Sequence, residues 1–169
     1  MLRRIAIVLI GLAVVPCAAE PPTRAERLQD WRGRLVRASE FGDTDAAVVL
    51  YRSILDEAAS LDENGMLVAR AADGLADVYR GRRRFDLAAP LYERSLHLWR
   101  ILLGAHQPRT AVTLHNLGVC YVQLERWDLA ERVLRESLGL WRTGNHEERA
   151  AETDKALRAA LEKRRIPWE

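Results

Sequence analysis

The sequence predicts an all-α solenoid of about three helical hairpins closed by a C-terminal capping helix. Three observations predict it. Ala, Leu, Arg and Glu, all good helix formers, dominate the 169 residues, while Val and Ile are sparse after residue 55. Residues 68–100 align onto 110–142 at a shift of 42 with 12 identities in 33 positions, where ordinary composition gives about two or three by chance. Within each copy, large and small apolar residues recur at helical spacing.

The first nineteen residues are of different material. Arg3 and Arg4 precede an uncharged apolar run, Ile5 to Val15, closed by Pro16-Cys17-Ala18-Ala19. A spanning helix needs about 20 apolar residues, so the run is short for an anchor. It reads as a secretory signal peptide cleaved after Ala19. A second reading puts a lipid on Cys17, although Pro16 stands where Gly, Ala or Ser usually precedes such a cysteine; a third leaves the segment as an uncleaved anchor. Arg3 and Arg4 are the only charges in this segment, so the remainder carries 24 basic and 24 acidic residues. A chain without net charge gives no reason to expect nucleic acid as a partner. Only Cys120 then remains, so no internal disulfide is available and packing must hold the fold. An Arg-rich exported chain of this kind is expected in a bacterial periplasm.

Residues 20–23 form a linker, and a domain over 24–165 follows, with a tail at 166–169. The hairpins are expected at about 24–60, 66–102 and 109–142. Their helices fall at 24–40 and 44–60, 66–80 and 85–102, 109–124 and 127–142, with a capping helix at 146–164. The earliest copy reads Trp31-x-x-x-Leu35-x-x-Ala38, then Ala47 and Tyr51. The second reads Ala72-x-x-Leu75-Ala76-x-x-Tyr79, then Ala88 and Tyr92; the third Leu114-x-x-Leu117-Gly118-x-x-Tyr121, then Ala130 and Leu134. Nine residues separate Ala38, Tyr79 or Tyr121 from the next alanine in every copy. Gly118 lets a neighbouring helix approach closely. Gly81 and Gly144 suit helix ends, Pro108 a helix start, and Asn145 with Glu148 a capping box. Pro90 falls inside a helix and is expected to bend it. Ala150, Asp154, Leu157 and Leu161 share a face of the last helix, whose other faces are polar, as the end of a stack requires.

These spacings resemble the tetratricopeptide repeat (TPR), W-x2-L-G-x2-Y followed by A-x3-F. They look most like the 42-residue repeats of kinesin light chains, where a segment like L-G-x-x-H-P-x-T-A precedes each first helix. Here Leu103-Gly104-Ala105-His106-Gln107-Pro108-Arg109-Thr110-Ala111 has that length, with His106 one place early. Ala89 to Leu96 is similar to the family's second helix. Leu114 replaces the first Trp, and Arg34 stands where Leu is usual in the earliest copy. The resemblance implies a curved stack whose first helices line a concave groove that holds a protein or peptide partner. The groove positions would be Arg32 and Val36, then Arg70, Asp73, Asp77 and Arg80, then Val112, His115, Asn116, Val119 and Gln123. Asn116 matches the family's usual Asn, which commonly bonds a bound peptide's backbone; an amide both donates and accepts.

The remaining chemistry-bearing residues have plainer readings. Arg80, Arg82, Arg83 and Arg84 surround a turn; a solvated turn is the plain reading, an acidic partner or anionic lipid the sharper one. Lys163, Arg164 and Arg165 complement a helix dipole. His97, His106, His115 and His146 form no i, i+4 pair and no ligand spacing, so neither metal nor cofactor is expected. Cys120 sits on an amphipathic helix as a small buried thiol. Trp99 and Trp141 recur at one repeat position, which argues for packing. No phosphate loop, nucleophile elbow or zinc-protease motif occurs, so the chain is expected to be a binding scaffold and not an enzyme. The alternative is a membrane-associated or lipidated subunit of an envelope assembly.

Overall fold

The computed structural model describes residues 9–10, 13–14, 20–61, 63 and 65–165. The cleavage site after Ala19, Cys17 and the tail at 166–169 lie outside them. Two short strands, β1 (Leu9–Ile10) and β2 (Ala13–Val14), pair antiparallel. Seven helices follow among the described residues: α1 (Arg24–Phe41), α2 (Asp45–Ser60), α3 (Met66–Gly81), α4 (Phe85–Leu102), α5 (Pro108–Gln123), α6 (Trp127–Thr143) and α7 (Glu147–Arg165). No helix among them is long and apolar enough to cross a membrane.

Local chemistry sets the boundaries. Thr23 caps α1 in a full capping box with Glu26, and Thr44 caps α2 through the amide of Ala47. Pro108 opens α5, where its missing N–H is not needed. α4 runs through Pro90 without ending. The turns inside successive hairpins place Gly42, Arg83 and Glu125 at φ 59, 58 and 58°, one residue per repeat in the left-handed region. Gly81 and Gly144 therefore do not turn the chain; Arg83 and Asn145 do. The Arg84 amide bonds Tyr79 O, that of Arg126 bonds Tyr121 O, and that of His146 bonds Trp141 O, the Schellman pattern that satisfies a helix's last carbonyls. Asn145, at φ 55°, is thus the C-terminal stop of α6, and the expected capping box with Glu148 does not form.

The helices pack in sequence as antiparallel hairpins, each against the next. The alanines that close the nine-residue gaps, Ala47, Ala88 and Ala130, are fully buried. A methyl at Gly118 would lie 2.5 Å from Leu134 Cγ, and one at Gly74 would lie 2.5 Å from the Tyr51 ring, so both glycines admit a large side chain of the next or preceding helix. The repeat carries over into its bonds. Ser95 Oγ donates to Ala69 O and Ser137 Oγ to Ala111 O, at 3.0 and 2.8 Å. Tyr79 accepts from Arg52 of α2, and Tyr121 donates to Glu93 of α4, both at 2.6 Å; Arg52 and Glu93 are equivalent positions. Trp99 and Trp141 are both buried.

α1 touches α3 and α5 touches α7, whereas among the described residues no second helix makes a comparable backbone approach to the next second helix. The first helices are therefore the inner layer, and the stack curves around them. α7 occupies the place of a fourth first helix. Its buried residues Ala150, Thr153, Leu157 and Ala160 repeat Thr110, Thr113, Leu117 and Cys120 of α5 at a shift of 40. Asp154 and Leu161, expected on the packed face, are only half-buried, because the second helix that would cover them has no counterpart among the described residues.

Candidate partner-binding face

The inner layer brings most of the expected groove residues to one surface. Arg32, Val36, Arg70, Asp77 and Gln123 are exposed; Arg80, Val112, His115, Asn116 and Val119 are half-buried. At its centre is a network that spans two repeats. Tyr92 donates its hydroxyl proton to Asp77 Oδ1 at 2.5 Å, Arg80 Nε donates to the Tyr92 oxygen at 3.1 Å, and Arg80 Nη2 reaches Asp77 Oδ1 at 3.3 Å. Asn116 Nδ2 donates to the same carboxylate oxygen at 3.3 Å. Burial and the Asp77 charge raise the Tyr92 pKa far above its ordinary value, so the phenol keeps its proton. Among the described residues, the Asn116 carbonyl oxygen accepts no hydrogen bond. Arg70 makes no hydrogen bond or ion pair among them either.

Asp73 is a correction. It was expected in the groove, but it is 4% exposed and ties three helices together. Its Oδ2 accepts from Trp99 Nε1 and Arg109 Nε, both at 2.9 Å, and its Oδ1 from Thr113 Oγ1 at 3.2 Å. The Arg109 guanidinium lies over the Trp99 ring, 5.4 Å from its centre. A buried carboxylate needs this many donors, so no partner can use it. The sequence carried a signal that was missed: Trp99, Arg109 and Thr113 are three donor side chains, each spaced to return to α3. His115 is turned inward as well. Its Nδ1 is 2.9 Å from Thr153 Oγ1 of α7, and burial lowers its pKa.

The basic turn is largely consumed within the fold. Arg82 Nε and Nη1 bond Asp43 and Asp45 at 2.7 Å each, joining adjacent turns, and Arg84 pairs with Asp86. Arg34, the departure from the family's Leu, bonds Glu57 at 2.9 Å and Ser53 at 3.3 Å, bridging α1 to α2. Arg164 ties α7 to Asp128 and Glu131 of α6. Cys120 is fully buried, and burial pushes its thiol up to about 12, which removes it as a nucleophile. Among the described residues no three His, Cys, Asp or Glu side chains gather as a metal site.

Residues 67–143 match the family model of the tetratricopeptide repeat. Among solved structures, the crystal structure of BtubC (BKLC) from P. vanneervenii superposes with a TM-score of 0.63 at 18% identity, covering 89% of this chain and 70% of that one. At that identity the likeness carries the fold alone. No match is found among curated proteins. Repeated bonds at a 42-residue shift, a family match over two hairpins and a shared solenoid fold agree: residues 67–143 carry tetratricopeptide repeats.

Proposed function

We propose that the chain is a non-catalytic scaffold of the bacterial cell envelope that holds a segment of a partner protein against its inner helical layer. Tetratricopeptide repeats serve generally as protein-binding modules. The observation that carries the finer reading is Asn116: its amide nitrogen is held by Asp77 of the preceding repeat, and its carbonyl oxygen, which accepts no hydrogen bond among the described residues, is left to accept from an extended backbone. Exposed Arg70 and Gln123 and half-buried Val112 and Val119 flank it, supplying charge, amide and apolar contacts. Affinity should be about micromolar, because three hairpins bury little area against the ordering cost of a free segment. The Arg3-Arg4 start and short apolar run support export.

The test compares envelope proteins retained by the wild type, by Asn116→Ala/Arg70→Ala and by Arg132→Glu on the exposed back of α6. Retention lost only in the inner-face variant supports the reading; equal retention by all three refutes it. One observation favours membrane association as a second reading. Exposed Leu61, Met66, Ile101, Leu102 and Leu103 lie at the end of the hairpins where the chain enters at Arg24, which pairs with Glu63. Mass spectrometry of the mature N-terminus separates the two: a free Glu20 fits the soluble scaffold, a lipidated Cys17 the tethered one.

A further inference from the structure

Tyr51 of α2 and Tyr92 of α4 are equivalent positions at a shift of 41, and their hydroxyls meet opposite surroundings. Each ring reaches from an outer helix to the seam between two inner ones. At the α3–α5 seam the Tyr92 hydroxyl is fully bonded: it donates to Asp77 and accepts from Arg80, and Asn116 closes the network from α5. At the α1–α3 seam each of those partners is replaced. Val36 stands at the position of Asp77, Ser39 at that of Arg80 and Gly74 at that of Asn116. Ser39 Oγ donates to Val36 O at 2.7 Å. Glycine leaves the room that the ring fills: a carbon added at Gly74 would lie 2.5 Å from Tyr51 Cζ and 2.7 Å from its oxygen. The phenol tip therefore covers the spot from which the Asn116 side chain leaves α5 one repeat later. Tyr51 is 7% exposed, and among the described residues its hydroxyl makes no hydrogen bond. The side-chain polar atoms buried there without a partner are Arg27 Nε and Trp31 Nε1, so the Tyr51 oxygen is open to solvent.

We infer that the Tyr51 hydroxyl is a second anchoring point for the partner segment, donating to one of its backbone carbonyls while the Asn116 carbonyl oxygen accepts from one of its amides. This rests on the inner-layer reading and adds a register to it. The charges acting on the phenol are Asp77 and Arg70, about one helical turn to either side of Gly74. Burial, and after it the Asp77 charge, raises the Tyr51 pKa, so the phenol holds a proton to donate. With no acceptor in the fold, that donor is satisfied by water or by whatever lies on the inner layer. Gly74 and Asn116 occupy the same place on successive inner helices, and packed helices lie about 8–10 Å apart. Along an extended chain rising about 3.3 Å per residue, the N–H of one residue and the C=O two residues later point the same way and lie about 9 Å apart. One extended segment can therefore meet Asn116 and Tyr51 at once.

The test removes one oxygen atom. Peptides from a displayed random library are selected on the wild type, counter-selected against Asn116→Ala/Arg70→Ala, and titrated against the full chain. Tyr51→Phe keeps the ring against Gly74 and should weaken their binding about three- to tenfold, the effect of losing one net hydrogen bond. Tyr121→Phe, whose hydroxyl is held by Glu93 of the outer layer, should leave binding unchanged. Urea unfolding reads the fold separately. Tyr51→Phe should leave the midpoint where it is, whereas Tyr92→Phe should lower it, because that hydroxyl is bonded to Asp77. Unchanged peptide binding by Tyr51→Phe overturns the inference and leaves the inner-layer reading standing. A lowered midpoint in Tyr51→Phe also overturns it, since the hydroxyl would then be engaged within the fold. If no peptide survives the counter-selection, the inner-layer reading falls and the inference with it.

Discussion

Replacing Gly118 by alanine adds one methyl group at the tightest crossing of the third hairpin. In an open helix the change is favourable, because alanine exceeds glycine in helix propensity by about 1 kcal/mol. Here the new carbon would lie 2.5 and 2.6 Å from Leu134 Cγ and Cδ2 and 3.2 Å from Val133 Cγ2, against about 3.5–4 Å for unstrained carbon contact. Leu134 is fully buried and has no open side to move into. Overpacking of this kind costs about 1–3 kcal/mol, so the steric term wins. Gly139 on α6 is the control, since nothing lies within 4 Å of a carbon added there. Gly139→Ala should stabilise by up to about 1 kcal/mol, and Gly118→Ala should destabilise by about 1–2 kcal/mol. Each kcal/mol corresponds to about 2–4 °C in Tm at this size, so thermal and urea unfolding should move the two variants in opposite directions. Leu134→Ala alone should cost about 2–5 kcal/mol. Combined with Gly118→Ala it should cost less than the sum, because the clashing atoms are gone. Equal stabilisation by Gly118→Ala and Gly139→Ala would refute the claim that interlocked large and small residues set the hairpin.

Further expectations follow from the same packing. Asp73→Ala should destabilise by about 2–4 kcal/mol by leaving Trp99 Nε1 and Arg109 without their acceptor; urea unfolding followed by tryptophan fluorescence measures it. Gly74→Ala should destabilise as Gly118→Ala does, because the added carbon meets the Tyr51 ring, and the same unfolding assay reads it. Cys120, with its pKa pushed up to about 12, should resist a thiol reagent at about pH 8 and react only on unfolding. Arg132→Glu should leave partner retention unchanged in the same pull-down.

The hairpins were legible because their cause is local and periodic. Helix bounds follow from caps, Pro108 and the nine-residue gaps, and the observed helices begin and end within a residue or so of expectation. The turns were less legible. Gly81 and Gly144 do end α3 and α6, but the left-handed turns fall on Arg83 and Asn145, and Asn145 closes α6 instead of capping α7. Asp73 shows the other limit. Helical phase places it beside Asp77, one turn away on the same face, and phase alone cannot tell an exposed carboxylate from one sealed by donors of two other helices. His115 is half-buried for a related reason, because α7 packs beside it at a shift of 40 and not 42. Asp77 and Asn116 were legible as inner-face positions of consecutive repeats, but the bond between them was not.

Site-specific photocrosslinking shows whether a partner lies against the inner helical layer. A photoreactive residue at Arg70 or Gln123 on the inner layer, or at Val49 or Arg132 on the back, is irradiated in cells. Adducts from Arg70 and Gln123 to a common protein are expected, with none to it from the back. Adducts to that protein from Val49 or Arg132 alone would contradict it.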